Sequence, residues 1–126
     1  MLVKITKDGD KNLTVLIKGI VTEDFGRTPI VDLAKLRQSG EGLKGIRLDS
    51  IVWAIQEKLG LTLWWSEDGG EDSMAMPMES RNSMRFDEGV ESPRVKDGWQ
   101  QKLYLSSFNC KDGPKKFLVI LQFDKQ

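Results

Sequence analysis

The chain has 126 residues, of which 39% are apolar and 30% are charged, so both its length and its composition suit one globular domain spanning residues 1–126. Its 19 basic and 19 acidic residues cancel, and its longest basic run is Lys115-Lys116, so nucleic acid is not expected as a ligand. No segment approaches the roughly 20 apolar residues of a membrane-spanning helix, so no membrane association is expected either.

The chain opens with the pattern of a β hairpin. Apolar residues recur at every second position in residues 2–7 and 12–22, on either side of a Lys-Asp-Gly-Asp-Lys loop. Alternation with this period is typical of strands that bury one face, so two paired strands are predicted here.

The loop of this hairpin carries the beginning of a calcium-binding pattern. Asp8, Asp10 and Asn12 have the spacing of its first ligands. However, Leu13 occupies the sixth position, where glycine is expected, and Gly19 occupies the twelfth, where glutamate is expected. Turn chemistry is therefore favoured over a metal site.

Residues 28–36 fit either a strand or one helical turn capped by Asp32, and a strand is preferred at the start because Pro29-Ile30-Val31 has β propensity. Residues 45–65 fit two interpretations. A helix would be capped by Ser50 and would end at Gly60. Two strands would instead place Ile51, Trp53 and Ile55 on one face, turn at Leu59-Gly60, and alternate again through Leu61, Leu63 and Trp65.

The strand interpretation of residues 45–65 is preferred in this β context. It requires a β-bulge near Asp49-Ser50, since Ile46 and Leu48 are out of register with Ile51.

Further along, residues 67–72 form an acidic loop. In residues 73–79, Pro77 directs a methionine-rich strand to a sheet edge. Residues 81–97 show few regular signals, and both of these irregular stretches are expected to be exposed.

The C-terminus is predicted to form a closing hairpin of residues 101–109 and 115–124. The second strand places Phe117, Val119, Leu121 and Phe123 on one face and Leu118 and Ile120 on the other. A strand that is apolar on both faces is expected to be central in its sheet or covered on both sides. Taken together, the segments predict a mainly β fold, an antiparallel sandwich with at most one or two short helices.

No catalytic residues, cofactor site or metal site are predicted. Histidine is absent, which removes the commonest general base and metal ligand at neutral pH. The single cysteine, Cys110, cannot form an intramolecular disulfide and suits a reducing compartment. Without an orienting base, it is interpreted as an incidental loop thiol.

A binding surface is the remaining hypothesis. Aromatic residues and methionine are enriched at the centres of protein interfaces. The candidate interface residues are Trp64, Met74, Met76, Met78 and Trp99. Trp64 stands out because it points away from its neighbours Leu63 and Trp65 in the predicted strand.

The order of the strand segments resembles a diffuse family of small structural proteins of tailed bacteriophages. The segments that carry this resemblance are residues 13–19, 28–33, 46–55, 61–68, 102–107 and 117–123. The similarity lies in alternation and spacing over most of the chain. The acidic loop after Trp65 and residues 81–97 have no counterpart in it.

The resemblance implies a virion component, assembled in the host cytoplasm, with a jelly-roll-like β-sandwich. A capsid decoration or cement protein of this kind would bind the major capsid protein and other copies of itself. A second hypothesis, from another class, is an intracellular regulatory or scaffold domain of the anti-sigma-antagonist α/β type. That hypothesis requires a strand over residues 13–20 and a helix over residues 50–59.

Overall fold

The structure of the protein is a computed structural model that describes residues 1–9, 11–32, 46–65, 75–91, 94–95, 98–99, 102–111 and 113–125. Every regular element in these ranges is a β strand. The strands are β1 (Leu2–Asp8), β2 (Asn12–Val21), β3 (Thr28–Asp32), β4 (Ile46–Ile55), β5 (Gly60–Trp64), β6 (Ala75–Glu79), β7 (Arg81–Glu91), β8 (Arg94–Val95), β9 (Gly98–Trp99), β10 (Lys102–Phe108) and β11 (Lys115–Lys125).

The strands form a five-stranded sheet in the order β1-β2-β11-β4-β7, a four-stranded sheet in the order β3-β10-β5-β6, and the short pair β8-β9. All pairs are antiparallel. With β1 set aside, the pairs nest: β2 with β11, β3 with β10, β4 with β7, and β5 with β6. This nesting across two sheets is the topology of a jelly roll. The predicted antiparallel, jelly-roll-like sandwich is therefore confirmed.

The core lies between the two sheets and follows the period-two alternation of the sequence. In β2 and β11 the inward apolar side chains are at most 5% exposed, as Val15 and Val119 show at 0% each. The four-stranded sheet contributes Leu61, Leu63 and Leu105 from its inner face, also at 0%. Because β11 is the central strand of its sheet, the expectation drawn from its two apolar faces is confirmed.

Strand β4 contains the predicted bulge. Leu48 pairs with Phe123 and Ser50 with Gln122, so Asp49 is the extra residue. The bulge returns both Leu48 and Ile51 to the core, each at 0% exposed. The helical interpretation of residues 50–59 is wrong, because these residues complete β4 and turn into β5. The turn falls at Glu57 and Lys58, not at the predicted Leu59-Gly60, and Lys58 adopts a φ of 70°.

The predicted closing hairpin is wrong in its pairing, although both of its strands exist. Strand β10 pairs with β3 and β5, whereas β11 pairs with β2 and β4 in the other sheet. The link between them is held by Asp24, whose Oδ1 accepts hydrogen bonds from Ser107 Oγ at 3.1 Å and from the Cys110 amide at 3.0 Å. The chain therefore crosses between the sheets instead of turning back.

The sequence predicted one of the two edge strands in residues 75–91 and missed the other. Strand β6, which contains Pro77, is an edge strand, as predicted. Residues 81–91 form the long strand β7 where irregular structure was expected. The four described side chains at residues 82–85 are exposed, as predicted. An edge strand pairs on one side only, and this one does not need the apolar alternation that makes strands visible in a sequence.

Candidate functional site

Trp64 lies on the outer face of the four-stranded sheet, because its neighbours Leu63 and Trp65 are fully buried on the inner face. The indole is half-buried and held at two points. Its Nε1–H donates to Ser106 Oγ at 2.8 Å, and the guanidinium carbon of Arg27 stands 3.5 Å from the ring centroid. Such a stacked, hydrogen-bonded tryptophan is rigid and can present an edge to a partner without losing rotamer freedom.

Among the other candidate residues, the structure describes the side chain of Met78. Met78 is 1% exposed and pairs with Leu61 on the inner face, so the expectation that it contacts a partner is wrong. Met76 lies opposite Leu63 in the ladder, and Trp99 lies opposite Arg94. Met74 and the acidic loop 67–72 are outside the described residues.

A different apolar surface occupies the outer face of the five-stranded sheet. The register places Leu16, Ile120 and Val52 side by side across β2, β11 and β4. One step along the strands, Leu118 and Ala54 are neighbours in the same way. We call these five residues, together with Leu2 and Ile20 at one end, the aliphatic face.

The aliphatic face is accessible. Val52 is 48% exposed, Leu2 49% and Ile20 59%, and the other four members are half-buried. At the end near Leu2 and Ile20 the surface dips into a shallow groove that Met1, Lys18 and Gly19 also line. Gly19 pairs with the inward Phe117, and a side chain there would come within 3.1 Å of Met1 Cα and 3.2 Å of the Phe117 ring.

The outer face of a sandwich sheet is normally polar, since one face of an antiparallel sheet packs on the core and the other meets water. Contiguous exposed aliphatic residues mark surfaces that pack against another molecule. These side chains have no acid, base or nucleophile, so their chemistry is that of binding. Sequence reasoning missed this surface, although the outward Leu118 and Ile120 carried the signal.

Groups capable of other chemistry are few in the described ranges. No set of three or more histidine, cysteine, aspartate or glutamate side chains there could hold a metal ion. The half-buried Cys110 thiol donates to the carbonyl of Val21 at 3.3 Å. No helix in the described part of the chain is long and apolar enough to cross a membrane.

Comparisons with known proteins assign no family. No family model matches the chain, and no curated protein sequence matches it. One similar solved structure is described as a cupin domain from Bordetella pertussis. It has a TM-score of 0.37 and 13% sequence identity, over 99% of this chain and 92% of that one. A TM-score this low establishes neither common ancestry nor common function.

Proposed function

We propose that this chain is a non-catalytic structural domain that joins a larger protein assembly through its aliphatic face. The observation that carries the proposal is the row Leu16, Ile120 and Val52, which three paired strands bring together on an outer sheet surface. The more specific proposal is a capsid decoration or cement protein of a tailed bacteriophage. It is supported by the resemblance of the strand segments to such proteins.

The energetics suit a role in an assembly. Complete burial of a half-exposed aliphatic side chain stabilises a complex by about 1 kcal/mol. Seven such residues contribute several kcal/mol, from which the entropy of association must be subtracted. The face lies on a hydrogen-bonded sheet, so little backbone ordering is needed on binding. Repetition of one modest contact over the many sites of a shell would make the total attachment strong.

The test of the proposal is co-sedimentation with particles of the bacteriophage or prophage that carries this coding sequence, prepared without the protein. The informative variant is Val52→Asp, and Met84→Asp is the matched control. Val52 and Met84 lie on the neighbouring strands β4 and β7 and are 48% and 44% exposed. Met84 pairs with the inward Ile51, so it is not part of the aliphatic face.

The wild-type protein and Met84→Asp are expected to sediment with the particles, and Val52→Asp is expected to stay in the supernatant. Loss of binding by both variants would mean that the sheet is merely perturbed. Binding by all three would refute the aliphatic face as the attachment site. A wild-type protein that ignores the particles would refute the virion role.

A further inference from the structure

Basic side chains lie within and around the aliphatic face. Lys4 pairs with Leu16, Lys18 lies between Leu2 and Leu118, and Lys116 pairs with Ile20. All three lysines are exposed. Lys7 and Arg85 line the groove at the other end of the same sheet surface.

Among the side chains that the structure describes on this surface, acidic ones are fewer than basic ones. Asp124 is in a salt bridge with Arg47 at 3.0 Å, which neutralises both groups. Asp49 and Glu57 lie at the bulge and at the turn, towards the two ends of β4. The chain as a whole has no net charge, with 19 basic and 19 acidic residues. The surplus of positive charge among the described side chains of this surface therefore does not follow from the composition.

We propose that the partner of the aliphatic face is a protein surface with an aliphatic centre bordered by aspartate and glutamate side chains. This inference rests on the proposed function and specifies the chemistry of its partner. The lysine stems extend the apolar area, while their ammonium groups stay at the border in water. Carboxylates placed opposite them would guide the encounter and fix the register of docking.

Charge argues against a second copy of the chain as the occupant. Two copies packed through the aliphatic face would bring two lysine borders together, and like charges across an interface cost free energy. The residue types argue against an anionic lipid surface. Membrane-surface proteins anchor with tryptophan and tyrosine, whereas the described aromatic residues of β4 and β11, Trp53, Phe117 and Phe123, point into the core.

The test measures binding kinetics on the same particles, immobilised on a sensor surface. The double variant Lys4→Glu/Lys116→Glu reverses the border charge. The matched control, Lys11→Glu/Lys111→Glu, makes an equal charge change at two exposed lysines outside the aliphatic face. Rates are measured at about 50 mM and about 500 mM salt, since screening strengthens over this range.

The border variant is expected to associate about tenfold more slowly at low salt, with a nearly unchanged dissociation rate, because border charges act mainly on association. The wild-type association rate should fall with salt, and that of the control variant should match the wild type. Equal association rates for the border variant and the control, with no salt dependence, would overturn the inference.

Val52→Asp separates this inference from the proposed function. If Val52→Asp abolishes binding and the border variant associates like the wild type, the aliphatic face is the binding site. In that case the proposed acidic border of the partner is wrong. If neither change has an effect, both proposals fail. Two further results would reassign the occupant: a dimer in sedimentation velocity that Val52→Asp dissociates, or flotation with vesicles containing about one third phosphatidylserine.

Discussion

One chemical change, valine to aspartate, gives opposite expectations on the two faces of the five-stranded sheet. Val119 and Val52 lie on the adjacent strands β11 and β4. Val119 pairs with the inward Trp53, and Val52 pairs with the outward Ile120. Val119 is 0% exposed and Val52 is 48% exposed. The two substitutions therefore differ in burial and not in side-chain chemistry or strand environment.

Val119→Asp removes a fully buried aliphatic side chain, which costs about 1.5–3 kcal/mol. It also places a carboxyl group between the sheets, at a further cost of about 2–7 kcal/mol. The sum is comparable to the whole stability of a domain, about 5–15 kcal/mol. Val52→Asp loses a partial contact and leaves its carboxylate in water, so about 1 kcal/mol or less is expected.

The assay is urea unfolding followed by the fluorescence of the four tryptophans. Val52→Asp should unfold cooperatively with a midpoint close to that of the wild type. Val119→Asp should be largely unfolded without denaturant or should lose most of its midpoint. Equal losses in the two variants, or a wild-type midpoint for Val119→Asp, would refute the assignment of inward and outward faces.

Two further predictions concern contacts that hold the sandwich together. Trp53 Nε1 donates to the Glu79 carbonyl at 2.9 Å and so links the two sheets. Trp53→Phe should lower the free energy of unfolding, measured in urea, by about 1–2 kcal/mol. An unchanged midpoint would contradict this role. The side chain of Lys125 is 2% exposed and forms a salt bridge with Asp8. Asp8→Ala should therefore lower the free energy of unfolding by about 3 kcal/mol. Asp8→Asn keeps an acceptor and should lower it clearly less. Equal thermal midpoints for those two variants would show that the acceptor at residue 8 is not what stabilises the buried ammonium group.

Much of the strand content was predictable from local pattern. Alternation with a period of two reports which residues face the core, and this identified β1, β2, β4, β5, β10 and β11. Even the bulge at Asp49 followed from the sequence, because Leu48 and Ile51 fit one buried face only if one extra residue separates them.

Strand pairing was not predictable in the same way. Residues 101–109 and 115–124 are neighbours in the sequence, which suggested a hairpin. In this jelly roll, however, most strands pair with one that is distant along the chain, as β2 does with β11. The alternation of a single strand carries no information about its partner. The edge strand β7 escaped detection for a related reason, since its described side chains, at residues 82–85, are exposed and show no apolar alternation.

Met78 was misjudged as an interface residue because residue type was used in place of position. Methionine and tryptophan are enriched at interfaces, yet Met78 fills the core opposite Leu61. Leucine, isoleucine and valine attract no attention in a β sequence, because strands of the core are made of them. Leu16, Ile120 and Val52 become a surface only when the register places them in one row.

That row is not explained by folding alone. In β11 the inward apolar residues, at 0–5% exposure, already supply the apolar surface that this strand buries between the sheets. Polar side chains at positions 118 and 120 would keep the same alternation and the same ladder of hydrogen bonds, because the backbone makes those bonds. Yet leucine and isoleucine occupy these positions, beside valine at position 52 of the neighbouring strand. Exposed aliphatic residues lower solubility when they have no partner. Their continuity across three strands is therefore best accounted for by a second surface that covers them, and that requirement is the physical basis of the proposed assembly.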